Sequence, residues 1–107
     1  MSKIGAHVSA AVSLDLSFKR ALEIGAECTQ IFISPPQQWA QTVHSDTEIE
    51  AYKEQAKQTR IGPNFIHAVY LINLASENSE LVKKSLDWLI YSQKMVEKLE
   101  VVGTIFH

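Results

Sequence analysis

Four short apolar runs punctuate the chain, and between them apolar residues recur at intervals of three and four. The first run, Ile4-Gly5-Ala6-His7-Val8, opens into the small residues Ser9-Ala10-Ala11. From about residue 14 to residue 24, Leu14, Phe18, Ala21 and Leu22 share one helical face, with Ser13 as N-cap and Gly25 at the terminus. Residues 28–33 form a β-type run that Pro35-Pro36 breaks, and a loop carries the chain past Trp39 and His44. Ser45-Asp46-Thr47-Glu48 has the spacing of a capping box, followed by Ile49, Tyr52 and Ala56 at helical intervals. A third strand is predicted over residues 64–70, after Gly62-Pro63. The longest helix is predicted over about 78–99, with Val82, Leu86, Leu89, Val96 and Leu99 as its apolar stripe and Lys83, Lys84, Lys94 and Lys98 as a solvated face. Gly103 leads into a fourth strand over 104–107.

The order is β-α-β-α-β-α-β. Short apolar strands alternating with amphipathic helices predict an α/β fold built on a parallel sheet with helical crossovers. Two architectures fit: a small doubly wound sheet, or the first half of a TIM (β/α)8 barrel, which takes about 250 residues when complete. No linker or low-complexity stretch divides residues 1–107, so they read as one partial domain without an internal boundary.

Composition narrows the class. Apolar residues make up 46% of the chain and charged residues 21%, a globular balance far from that of disordered chains. A net charge of −2 supplies no general pull toward nucleic acid or anionic membranes, although a local patch or bound cations can still do so. Cys28 is the only cysteine, which excludes an intrachain disulfide and favours a reducing compartment. No run approaches the ~20 apolar residues of a membrane span, and the first ten residues lack the apolar core of a signal peptide. A cytoplasmic protein without membrane partners is expected.

Candidate chemistry sits in the histidines. His7, His67 and His107 all fall at or near the C-terminal ends of predicted strands, the edge that carries function in parallel α/β folds. If the third and fourth strands are neighbours, their axes lie about 4.8 Å apart. Imidazoles from His67 and His107 at matching heights then reach one zinc at about 2.0–2.1 Å from each nitrogen. The competing interpretation is three hydrogen-bonded polar residues at strand ends, and spacing alone does not decide between the two. His44, in a polar loop, reads as exposed; Trp39 and Trp88 read as packing residues, and Cys28 as a small core residue.

Three stretches resemble a known family. Ile4-Gly5-Ala6-His7-Val8-Ser9-Ala10-Ala11 is similar to the opening of the endonuclease IV family of abasic-site DNA repair enzymes. His67-Ala68-Val69-Tyr70-Leu71-Ile72-Asn73-Leu74-Ala75-Ser76 resembles its H-x-x-YLINLA segment, and Phe106-His107 the start of its FHPGSH segment. The resemblance implies a (β/α)8 barrel with a zinc cluster at the C-terminal face of the strands, and cleavage of the phosphodiester 5′ to an abasic site. It implies that His67 and His107 are zinc ligands and that His7 lines the cluster or supports it. It places Tyr70 and Leu71 on a loop that enters the DNA, and Gln38 and Trp39 on another DNA-facing loop.

The chain also departs from the pattern. Val12-Ser13 stands where the family usually has a glycine pair, and Gln37 where it often has a basic residue. The family's remaining zinc ligands come from later strands, so the 107 residues alone are expected to be inactive. Three functions stay open: part of an endonuclease IV-like zinc-dependent phosphodiesterase acting on abasic double-stranded DNA; part of a sugar isomerase or epimerase barrel; and a non-catalytic half-barrel. Unpaired first and fourth strands would favour a homo-oligomer, an expectation that a monodisperse monomer at micromolar concentration would contradict.

Overall fold

The computed structural model describes residues 2–107. Its order is β1 (Ala6–His7), α1 (Leu16–Ile24), β2 (Thr29–Ile31), α2 (Asp46–Thr59), β3 (Asn64–His67), α3 (Ser79–Leu99) and β4 (Gly103–Ile105). The predicted strands are all present but shorter: β1 and β2 keep the middle of their runs, β3 keeps the first four residues of its run, and β4 begins one residue early, at Gly103. The sheet is wholly parallel in the order β1-β2-β3-β4. Each strand lies beside the next one in sequence, and right-handed crossovers then place all three helices on the same face. A doubly wound sheet needs a reversal of strand order, and this sheet has none. Its arrangement is that of three successive βα units of a barrel followed by a fourth strand.

Strand alternation separates the two faces. Thr29, Ile31, Ile33, Asn64, Ile66 and Ala68 turn toward the helices and are buried, whereas Gln30, Phe32, Phe65 and His67 turn the other way and are half-exposed. On the helix side, Phe18 of α1 packs against Tyr52 of α2, with ring centres 4.7 Å apart. Thr29 Oγ1 donates to Asn64 Oδ1 at 2.7 Å, and Asn64 Nδ2 donates to the Ile61 carbonyl, so the polar pair between β2 and β3 is satisfied where it is buried. Cys28 is half-buried beside Gly5 rather than in the core. A Cβ at Gly5 would overlap the Cys28 carbonyl and Sγ, so the close approach there needs glycine.

The helix ends follow local chemistry with one exception. Asn78 caps α3 by accepting from the amides of Glu80 and Leu81. Ser45 caps α2 by accepting from the Glu48 amide. Before α1, Ser13 does not act as the expected cap: its hydroxyl bonds the Asp15 carboxylate, and the helix begins two residues later than predicted, at Leu16.

Two apolar stripes differ from expectation. Leu22 of α1 and Leu86 of α3 are about half-exposed, and α3 instead buries Ser85, Trp88, Ser92, Met95 and Leu99. The buried face is turned by about one residue from the most apolar one. Serines can occupy it because their hydroxyls are used locally: Ser85 Oγ donates to the Leu81 carbonyl and accepts from the Asn73 amide. Small side chains there let the helix approach the sheet.

Two tyrosines in this layer make stability fall at high pH. Burial, with the nearby Glu48 carboxylate, pushes the Tyr91 phenol up to about 12, and burial alone raises that of Tyr52. An unfolded phenol ionises near pH ~10. Their contribution is therefore complete below about pH 10 and is lost as pH rises toward about 12, where the unfolded chain has released protons that the native state retains. Melting temperature followed by circular dichroism should fall across that window, and Tyr91→Phe should remove part of the slope. A flat profile to about pH 12 would rule out these shifts.

Candidate functional site

The open face of the sheet collects rings at its C-terminal edge. His7 ends β1, and Gln30, its register partner on β2, points the same way; Gln30 Nε2 donates to His7 Nδ1 at 3.0 Å. Phe32 lies two residues beyond Gln30 and so shares that face. Its ring centre is 4.4 Å from that of His7 and 5.3 Å from that of His67. His67 ends β3 opposite Ile105 of β4, and His107 lies two residues further on. The His67 and His107 ring centres are 5.3 Å apart, with planes inclined at 37°. Tyr70 leans over the group, its ring 6.1 Å from His67 and 5.5 Å from Phe32.

His67 is oriented by its neighbour. Its Nδ1–H donates to the Ala68 carbonyl at 2.6 Å, which leaves the Nε2 lone pair free. A metal-ligating histidine has this arrangement. Two imidazoles on one zinc, at about 2.0–2.1 Å and the tetrahedral angle, have ring centres roughly 5 Å apart. The observed 5.3 Å is of that size, which makes His67 and His107 the candidate pair. Among the described residues, no three His, Cys, Asp or Glu side chains gather closely enough to hold an ion.

His7 is placed differently. Its Nδ1 accepts from Gln30, so the neutral ring carries its hydrogen on Nε2 and presents a donor rather than a lone pair. Burial, and then the charge of nearby His67, lowers its pKa. The ring is 6.1 Å from that of His67, which suits a residue lining the site.

The residues singled out for DNA lie on two loops of the same rim. Tyr70 and Leu71 follow β3 and are exposed; Gln38 and Trp39 follow β2, Gln38 exposed and Trp39 half-buried against the core. Trp39 thus has a packing role as well. The two loops touch: the Tyr70 amide donates to the Pro36 carbonyl at 2.8 Å. An open cleft of about 710 Å³ runs along the rim between the connections that follow β1 and β2, bordered by His7, Val12, Phe32, Ser34, His44 and Glu48. Val12 has φ 78°, a left-handed conformation in which a β-branched side chain is disfavoured, and is almost fully exposed. The backbone at this turn therefore has the conformation that glycine adopts most easily.

Two residues of this rim have roles that the sequence did not reveal. Phe32 forms the centre of the ring cluster, and its only signal was alternation with the apolar Ile31 and Ile33. His44, expected to be exposed, has an 8% exposed side chain. Its Nε2–H donates to the Ile33 carbonyl at 2.7 Å, and its Nδ1 meets Glu48 Oε1 at 2.9 Å. Two good partners within reach keep the imidazole out of solvent.

No protein-family model matches the chain. Known proteins do. Over all 107 residues it is 43% identical to a probable endonuclease 4 of Persephonella marina, and 40% identical to one of a Sulfurihydrogenibium species. The crystal structure of endonuclease IV from Thermus thermophilus superposes on 99% of the chain with a TM-score of 0.93 at 30% identity. The proteins it is similar to are thus named endonuclease 4 or endonuclease IV. The chain spans 38% of the length of those two curated relatives and 40% of the Thermus endonuclease IV chain. The aligned region spans every element described above.

Proposed function

We propose that this chain contributes the first three βα units and the fourth strand of a zinc-dependent endonuclease that cleaves DNA 5′ to abasic sites. The likeness to endonuclease 4 proteins over all 107 residues, with His67 and His107 side by side at the rim, supports this reading. Each side chain has a part in it. His67, held by the Ala68 carbonyl, and His107 offer nitrogen ligands to zinc. When bound, zinc supplies a water acidified toward hydroxide and a Lewis acid for the attacked phosphate. His7 presents its Nε2–H along the wall of the site. Tyr70 and Leu71, exposed beyond β3, are placed to enter the duplex at the gap, where the missing base makes deformation easier than in intact DNA. Gln38 and Trp39 contact the flanking strand from the loop after β2. With two ligands of its own, the chain needs further zinc ligands, carboxylates among them, from additional βα units, and by itself it is inactive.

The test is complementation. Residues 1–107 are joined to the part of the Persephonella marina relative beyond the aligned region, and the product is incubated with a duplex carrying one abasic analogue. Incision 5′ to the lesion is expected, and chelation of zinc should abolish it. A folded, zinc-loaded product that leaves the duplex intact would refute the proposal.

A further inference from the structure

We infer that His44 and Glu48 form a positioning pair that locks the rim loop carrying Gln38 and Trp39, an inference that rests on the endonuclease reading for its consequence on DNA. Residues 35–45 contain no helix or strand. Connections of that length are commonly mobile. This one is held at successive points by donors from elsewhere. Trp88 Nε1–H donates to the Ala40 carbonyl at 3.1 Å, the Tyr91 hydroxyl to the Thr42 carbonyl at 2.6 Å, and the Tyr70 amide to the Pro36 carbonyl.

His44 closes the loop on itself. It lies at the end of the loop and donates to Ile33, just before the beginning, so one imidazole ties the two ends together. Its other nitrogen meets Glu48 on the first turn of α2, and Glu48 Oε2 accepts from the Leu14 amide at 2.8 Å. A capping-box glutamate would turn back to the Ser45 amide. This one is diverted to the connection that follows β1. The pair thus spans both walls of the rim cleft, which His44 and Glu48 themselves border.

A packing role alone would account for the burial of His44. It would not account for a carboxylate diverted from its own helix to link two connections, or for a bridge between the two ends of the loop that bears the DNA-facing residues. A loop held in place before DNA arrives has less conformational freedom to lose on binding. The pair should therefore act on substrate binding and leave the chemical step alone.

Two measurements test this. In the 107-residue chain, His44→Ala should raise amide exchange at residues 36–43 at least tenfold while strand amides keep their protection. In the joined protein, the same variant should raise KM for the abasic duplex about tenfold with kcat within twofold, and His44→Gln, which keeps a donor for the Ile33 carbonyl, should recover most of it. Unchanged loop exchange, or a fall in kcat with KM unmoved, would overturn the inference. If His44→Ala does not fold, Glu48→Gln is read the same way. Absence of incision by the unsubstituted joined protein would count against the endonuclease reading alone, because loop exchange still decides whether the pair holds the loop.

Discussion

His67→Ala and His107→Ala are each expected to lower the zinc affinity of the chain by more than about a hundredfold, beyond the 10–100-fold typical of losing a group that only orients a ligand. The two ring centres are 5.3 Å apart, and the Ala68 carbonyl holds His67 with its Nε2 available. Removing either ring leaves a single imidazole, which has no chelating partner. His7→Ala should do much less, because that ring already uses its Nδ1 to accept from Gln30. Isothermal titration with zinc, or the visible spectrum of the cobalt(II) form, distinguishes these cases. Unaltered affinity in both the His67 and His107 variants would remove the pair as ligands, and an equal loss in the His7 variant would redraw the ligand set.

The largest loss of stability is expected at Trp88. Its indole lies on the buried face of α3, with its ring centre 5.5 Å from that of Tyr91 and Nε1–H bound to the Ala40 carbonyl. Truncation to alanine opens a cavity that close-packed neighbours refill only in part, and costs about 3–5 kcal/mol. A small domain has roughly 5–15 kcal/mol in total, so Trp88→Ala should leave the chain marginally folded or unfolded at 25 °C. Trp88→Phe should retain much of the packing but lose the bond to the loop. Urea titrations compare the three, and a midpoint for Trp88→Ala close to the original would show that the indole is peripheral.

Much of the architecture was legible because local signals agreed with the fold. Ser45 and Asn78 cap the helices they precede, the four apolar runs are the four strands, and the unswitched order decided between the two architectures left open. The misplacements share a cause. Leu22 and Leu86 were assigned to the core on hydrophobicity, yet α3 buries Ser85, whose hydroxyl donates to the Leu81 carbonyl, and Ser92, whose hydroxyl pairs with that of Thr104 on β4, and their small size matters more than their polarity. His44 was read from its polar neighbours, but its partners Ile33 and Glu48 come together only once β2 and α2 are in place. Phe32 sits in a run of apolar residues, where composition says nothing about which face a ring will occupy. His7, His67 and His107 could be placed at one edge from strand order alone. Their mutual distances required the register.

That register determines which genetic changes the site tolerates. Along β3, Ile66 faces the helices, fully buried, and His67 faces the open side. A deletion of one residue inside the strand would send the imidazole into the apolar layer and bring an isoleucine to the rim, a failure that no neighbouring substitution repairs. Point changes at the exposed tips of the loops, such as Val12 and Tyr70, leave the alternation untouched. Descendants of this sequence should therefore vary in length only between elements, and a single-codon gain or loss within a strand should be a rarer event than replacement of an exposed loop-tip residue such as Val12.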